Sequence, residues 1–240
     1  MNGAGKQMKW GILTALSAAV LAGCSAGRSW NLPGQSTAAA AAPLPSNVVV
    51  VRGPGYWPDC EGFVDRLNQQ GTQTAVIHGW DANRTAERLA AARQPSAATT
   101  PLVLVGYGRG ANDAIRLTRR LQKHGVTVNT LILMETASQD SVPSNVLSCL
   151  NIYKSSEADE WIPVFRGLPV TVESARTELV NYNLRYHDDV VDAEELNHFT
   201  VCRDPTVLAM IAAKVRSALA PPAAPDGSDE LSPAQIAERR

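Results

Sequence analysis

The chain has 240 residues, enough for one sizeable α/β domain and too few for two comfortable ones. With 45% hydrophobic and 19% charged residues and a formal net charge of -1, it has neither the starved composition of a disordered chain nor the basic excess of a nucleic-acid binder. Its 4 cysteines are too few for a disulfide scaffold, which leaves apolar burial as the main source of stability.

The N-terminus opens on a short basic start with Lys6 and Lys9 and runs uncharged from Trp10 to Gly23. This stretch falls short of the roughly 20 residues that a membrane-spanning helix needs, and it reads as a signal peptide over residues 1–23. Leu21-Ala22-Gly23-Cys24 then resembles the lipobox of bacterial lipoproteins. That resemblance implies cleavage before Cys24, acylation of its thiol, and a membrane partner reached through the lipid. Ser25 in the next position resembles lipoproteins sorted to the outer membrane, here facing the periplasm. Residues 24–46, rich in Ala, Gly and Pro, are expected to form a flexible tether. The folded domain is expected over 47–219, followed by a disordered Pro/Ala-rich tail over 220–240.

Within the domain, the runs at 48–51, 73–77, 102–105, 131–134 and 146–152 are short and aliphatic, and amphipathic stretches separate them. Continuous apolar strands alternating with helices predict a mostly parallel sheet covered on both faces, the α/β class. The stretch 109–124 places Ala111, Ala114, Ile115, Thr118 and Leu121 on one stripe and stops at Gly125, as a helix would. Asp204-Pro205 pairs a capping residue with proline at the first helical position, and Val207, Leu208, Ile211, Val215 and Leu219 recur at helical spacing.

The most informative segment is Leu102-Val103-Leu104-Val105-Gly106-Tyr107-Gly108-Arg109-Gly110-Ala111, a buried strand turning sharply into a helix. It resembles the G-x-S-x-G elbow of the α/β-hydrolase fold superfamily, with glycine at the nucleophile position. The resemblance implies a three-layer sandwich, and Gly108 implies that acyl-enzyme chemistry through the usual residue is gone. It also implies that His198, just before the last helix, is the histidine of a degenerate triad, with Asp159, after the 146–153 strand, as its acid. Glu157 and Glu160 compete with Asp159 for that role. Gly55 or Tyr56, in the loop after Val51, would supply an oxyanion-hole amide, and Tyr107 and Arg109 would complete the pocket. In the resembled fold the helices beginning near Cys60 and Cys202 lie side by side, which implies a Cys60–Cys202 disulfide and leaves Cys149 as a buried thiol.

Gly106-x-Gly108-x-x-Ala111 also fits a dinucleotide fingerprint. Against that reading, the motif follows the third strand, and Glu135 lies farther beyond it than the ribose-binding acid should. The histidines show no metal-ligand spacing, so no metal and no cofactor are expected. The leading expectation is an exported lipoprotein that has lost serine-hydrolase activity and binds a small molecule or an envelope protein, with no nucleic-acid partner. The alternative is an esterase or thioesterase in which His198 activates water.

Overall fold

The computed structural model describes residues 44, 46–54, 57, 59–93, 100–155, 167–187 and 196–221. The expectations that rest on Cys24, Gly55, Tyr56 and Asp159 lie outside these residues. The main strands are β1 (Val48–Arg52), β2 (Thr74–His78), β3 (Val103–Tyr107), β4 (Val128–Met134), β6 (Val146–Tyr153) and β8 (Glu178–Asn183). The helices are α1 (Cys60–Gln69), α2 (Ala82–Ala92), α3 (Arg109–Lys123) and α4 (Pro205–Leu219), and β5 (Ser141–Val142) pairs with β7 (Thr171–Val172) in a separate small sheet.

The six long strands are all parallel, in the order β2-β1-β3-β4-β6-β8. Val48 to Val51 are wholly buried, as a central strand covered on both faces requires. Alternate side chains enter two cores. Val48, Val50, Val103, Val105 and Ile132 pack with Phe63 and Leu67 of α1 and with Val207, Ile211 and Val215 of α4. Val49, Val51, Leu104, Leu131 and Leu133 pack with Ala86 and Leu89 of α2 and with Ala114, Ile115 and Leu121 of α3. The result is the expected α/β-hydrolase-like three-layer sandwich.

Two local signals act as expected. The Asp204 side chain accepts from the amides of Thr206 and Val207, both at 2.9 Å, with Pro205 opening α4; such a cap is worth about 1 kcal/mol. Gly125 ends α3 with φ 69°, the left-handed conformation common at helix ends. Strand β8 is an addition to the expected elements. Its sequence ELVNYN is polar and half exposed, and it forms the sheet edge beside β6.

After β1 the chain builds β2 on one side and then crosses to β3 on the other, so a topological switch lies between β1 and β3. Crevices at the carboxyl ends of strands flanking such a switch are where open α/β sheets bind ligands. Arg52 pairs in register with Tyr107 there, and the loop after β1 meets the start of α3.

Candidate functional site

Three glycines, Gly106, Gly108 and Gly110, shape the turn from β3 into α3, for two different reasons. A Cβ on Gly106 would stand 2.5 Å from the Gly110 carbonyl oxygen and 2.7 Å from Ala111 Cα. One on Gly110 would meet the Val51 carbonyl oxygen at 2.4 Å, and one on Gly53 would meet the Gly110 nitrogen at 2.3 Å. These positions have no room for a side chain because backbones pass each other in contact. Gly108 differs. Its dihedrals, φ 57° and ψ -125°, suit glycine, yet a Cβ there would fit, in ordinary van der Waals contact with His198 Cε1 at 3.7 Å and Nε2 at 3.8 Å. A hydroxyl one bond further out would come within reach of the imidazole. Residue 108 thus turns sharply from strand to helix and carries no side chain.

His198 lies in the loop before α4, and its side chain is 13% exposed. Its Nδ1 faces Glu135 Oε2 at 3.2 Å, and Glu135 is 1% exposed. Glu135 immediately follows β4, and its amide donates to the Ile152 carbonyl at 2.9 Å. It has φ 50°, an uncommon backbone for a side-chain-bearing residue and one that costs about 1–3 kcal/mol. The Lys154 amide donates to Glu135 Oε1 at 2.7 Å, leaving Oε2 to the histidine. Gly167 allows this packing, since a Cβ there would stand 2.8 Å from Glu135 Oε1.

Among the described residues the carboxylate that meets His198 is Glu135, and the expected partner Asp159 lies outside them. The resemblance puts the acid after the 146–153 strand, whereas Glu135 comes one sheet position earlier, between the elbow strand and that one. Glu135 directly follows the apolar run 131–134, and its burial there demands a partner.

Tyr107 belongs to the site as expected, though its contact is with the histidine loop. Its hydroxyl donates to the His198 carbonyl oxygen, and its ring stacks on the imidazole at 5.4 Å. Burial, with smaller contributions from Cys202 and Glu135, pushes the phenol well above its usual range and keeps it a donor. Trp57 lies 5.7 Å from the Tyr107 ring on the other side, and its indole nitrogen is buried without a hydrogen-bond partner. Arg109 exposes its side chain. What it can offer the site is its backbone N–H, which as the first of α3 has no partner within the helix.

Cys60, Cys149 and Cys202 are free, buried thiols, so the expected Cys60–Cys202 bridge is not formed. Both residues do enter the same core, but Cys202 Sγ is directed to the Phe199 carbonyl at 3.6 Å. Burial raises the Cys202 thiol above its usual value, which disfavours its thiolate. A groove of about 490 Å³ between α1 and α4 is lined by Phe63, Leu67, Leu208, Arg66, Arg203 and Arg216 and contains none of the site residues. Among the described residues no cluster of three metal-ligating side chains occurs, and no helix is long and apolar enough to cross a membrane.

Together the sheet order, the glycine turn at Gly108 and the Glu135–His198 pair define an α/β protein with its candidate site at the carboxyl ends of the strands. No family model matches the chain. A segment of 110 residues, 44% of the chain, is 28% identical to a component of the mycosubtilin synthase of Bacillus subtilis and spans 4% of that protein's length. Among solved structures, the chain is similar to a Xanthomonas campestris pv. campestris protein assigned to the α/β superfamily of hydrolases, with TM-score 0.35 and 16% identity over 72% of this chain and 99% of that one. It is also similar to RedJ, a thioesterase from the prodiginine biosynthetic pathway in Streptomyces coelicolor, with TM-score 0.37 and 14% identity over 88% of this chain and 100% of that one.

Proposed function

We propose that the chain is an exported, lipid-anchored α/β-hydrolase-like protein that has lost serine-hydrolase chemistry and uses the site around Gly108 as a binding or scaffolding module at the cell envelope. The observation that carries this reading is the elbow itself: residue 108 keeps the nucleophile's backbone and faces His198, but bears no atom that could attack a carbonyl. The direct test is incubation of the full chain with a serine-reactive phosphonate. No modification is expected, and stoichiometric labelling would overturn the reading. Anchoring is tested by metabolic incorporation of an alkynyl fatty acid, which Cys24→Ser should abolish, and by recovery of the protein with outer membranes.

A second reading is favoured by the buried carboxylate. Glu135 holds a strained backbone and orients His198, as a general base requires. In that case Nε2 takes a proton from water as the water oxygen bonds to an ester or thioester carbonyl carbon. The collapsing adduct then expels the alkoxide or thiolate, which recovers that proton. His198→Ala would abolish turnover of a simple aryl ester under this reading and would leave nothing to lose under the first. Nucleotide binding is disfavoured because the His198 ring stands over the glycine turn where a pyrophosphate would have to lie.

A further inference from the structure

The loop that carries His198 is knit together internally. The Asn197 amide donates to Thr200 Oγ1 at 2.8 Å, the Phe199 amide to Asn197 Oδ1 at 2.9 Å, and the Val201 amide to the Asn197 carbonyl at 3.0 Å. A loop so closed on itself moves as one piece, and the pose of the imidazole then depends on how that piece is tied to the sheet. Among the described residues, two donors at strand ends tie it to the sheet. Tyr107, the last residue of β3, donates its hydroxyl to the His198 carbonyl. Lys154, the first residue past β6, donates Nζ to the Leu196 carbonyl at 2.6 Å.

Lys154 also holds the acid, because its own amide donates to Glu135 Oε1 at 2.7 Å. One residue thus grips both halves of the pair: its backbone fixes which carboxylate oxygen is left for the imidazole, and its side chain fixes the loop two residues before that imidazole. We infer that Lys154 is the positioning residue that registers His198 on Glu135. Resting on the reading of that pair as the core of the functional site, this makes β6 a clamp joining the acid at the end of β4 to a base more than sixty residues away in sequence. A bond from an ammonium to a carbonyl is charge-assisted and stronger than a neutral one, so a single contact can set the loop.

The test reads the imidazole directly. In the full chain with histidine nitrogens labelled, the Nδ1–H bound to Glu135 should give a low-field proton resonance, with the nitrogen shifts of one fixed tautomer. Lys154→Met keeps the backbone amide and removes only the ammonium, so the resonance should broaden or vanish and the tautomers should mix; Lys154→Arg, which can still reach the carbonyl, should restore the signal. Should Lys154→Met fail to fold, Lys154→Gln, too short to span to Leu196 but still polar, should show the same loss. A resonance unchanged in the folded Met or Gln variant, or absent from the Arg variant as well, would overturn the inference. Phosphonate labelling of the wild-type chain would defeat the proposed function and leave this signature untouched, so the two failures are distinguishable.

Discussion

Glu135 and His198 meet at 3.2 Å across 63 positions of sequence, with the carboxylate 1% exposed and the imidazole turned toward a glycine. The arrangement supplies an acid, a base and an elbow, and the missing element can be put back by one substitution.

Gly108→Ser is expected to gain stoichiometric phosphonate labelling, because its Cβ would fit without a clash 3.8 Å from His198 Nε2. The same change should lower stability by about 1–3 kcal/mol, since a side chain at this positive φ is strained. Gly108→Ala should show the stability loss without labelling. Urea titrations beside labelling assays separate the two effects, and a Ser variant that folds yet resists the probe would count against the elbow geometry.

In the Gly108→Ser background, Glu135→Gln should slow labelling by about 10²–10⁴-fold, the range that a positioned base contributes. Glutamine has a single acceptor oxygen where both the Lys154 amide and Nδ1–H need one, so the imidazole loses its defined tautomer. A labelling rate within a factor of two or so of the parent would show that another group orients His198.

Replacing Gly106 or Gly110 by Ala should destabilise far more than replacing Gly125. The first two would press a methyl group into backbone at 2.5 and 2.4 Å, whereas Gly125 carries a positive φ in open space. Overpacking against an immovable chain costs about 1–3 kcal/mol or more, and the elbow turn itself must shift to relieve it. Chemical denaturation of the three variants side by side checks the ranking.

Burial pushes the Cys149 thiol from 9.0 up to about 12, so the folded state keeps its proton where the unfolded chain has lost it. The stability tied to this thiol is complete below 9.0 and is lost progressively as pH rises toward 12. The slope is about 1.4 kcal/mol per pH unit at most. Cys149→Ala should be less stable than wild type at neutral pH, with a gap that narrows in alkali. A gap that widens with pH would contradict the burial argument.

The central strands are legible in the sequence because a strand covered on both faces needs a continuous apolar run, and residues 48–51 in β1, 103–105 in β3 and 131–134 in β4 supply one. The last helix is legible from Asp204 and Pro205. Strand β8 is not, because it owes its place to polar side chains. Asn181 exchanges two hydrogen bonds with the Val170 backbone at 2.9 and 3.0 Å, and the wholly buried Asn151 donates to Asn181 Oδ1 at 2.9 Å. No periodicity announces such side-chain pairing. The histidine of the site can be read from its place before α4. Its acid cannot, because a carboxylate at a strand end becomes conspicuous only once the strand is known to be buried and its neighbour in the sheet is known.

The rings of Trp57 and His198 both pack against Tyr107, which has an optical consequence. An indole one aromatic ring away from the imidazole has its emission altered by what enters the space beside His198. The protein thus carries an internal probe, isolated by subtracting the spectrum of Trp57→Phe, that can register the arrival of an occupant without any added dye.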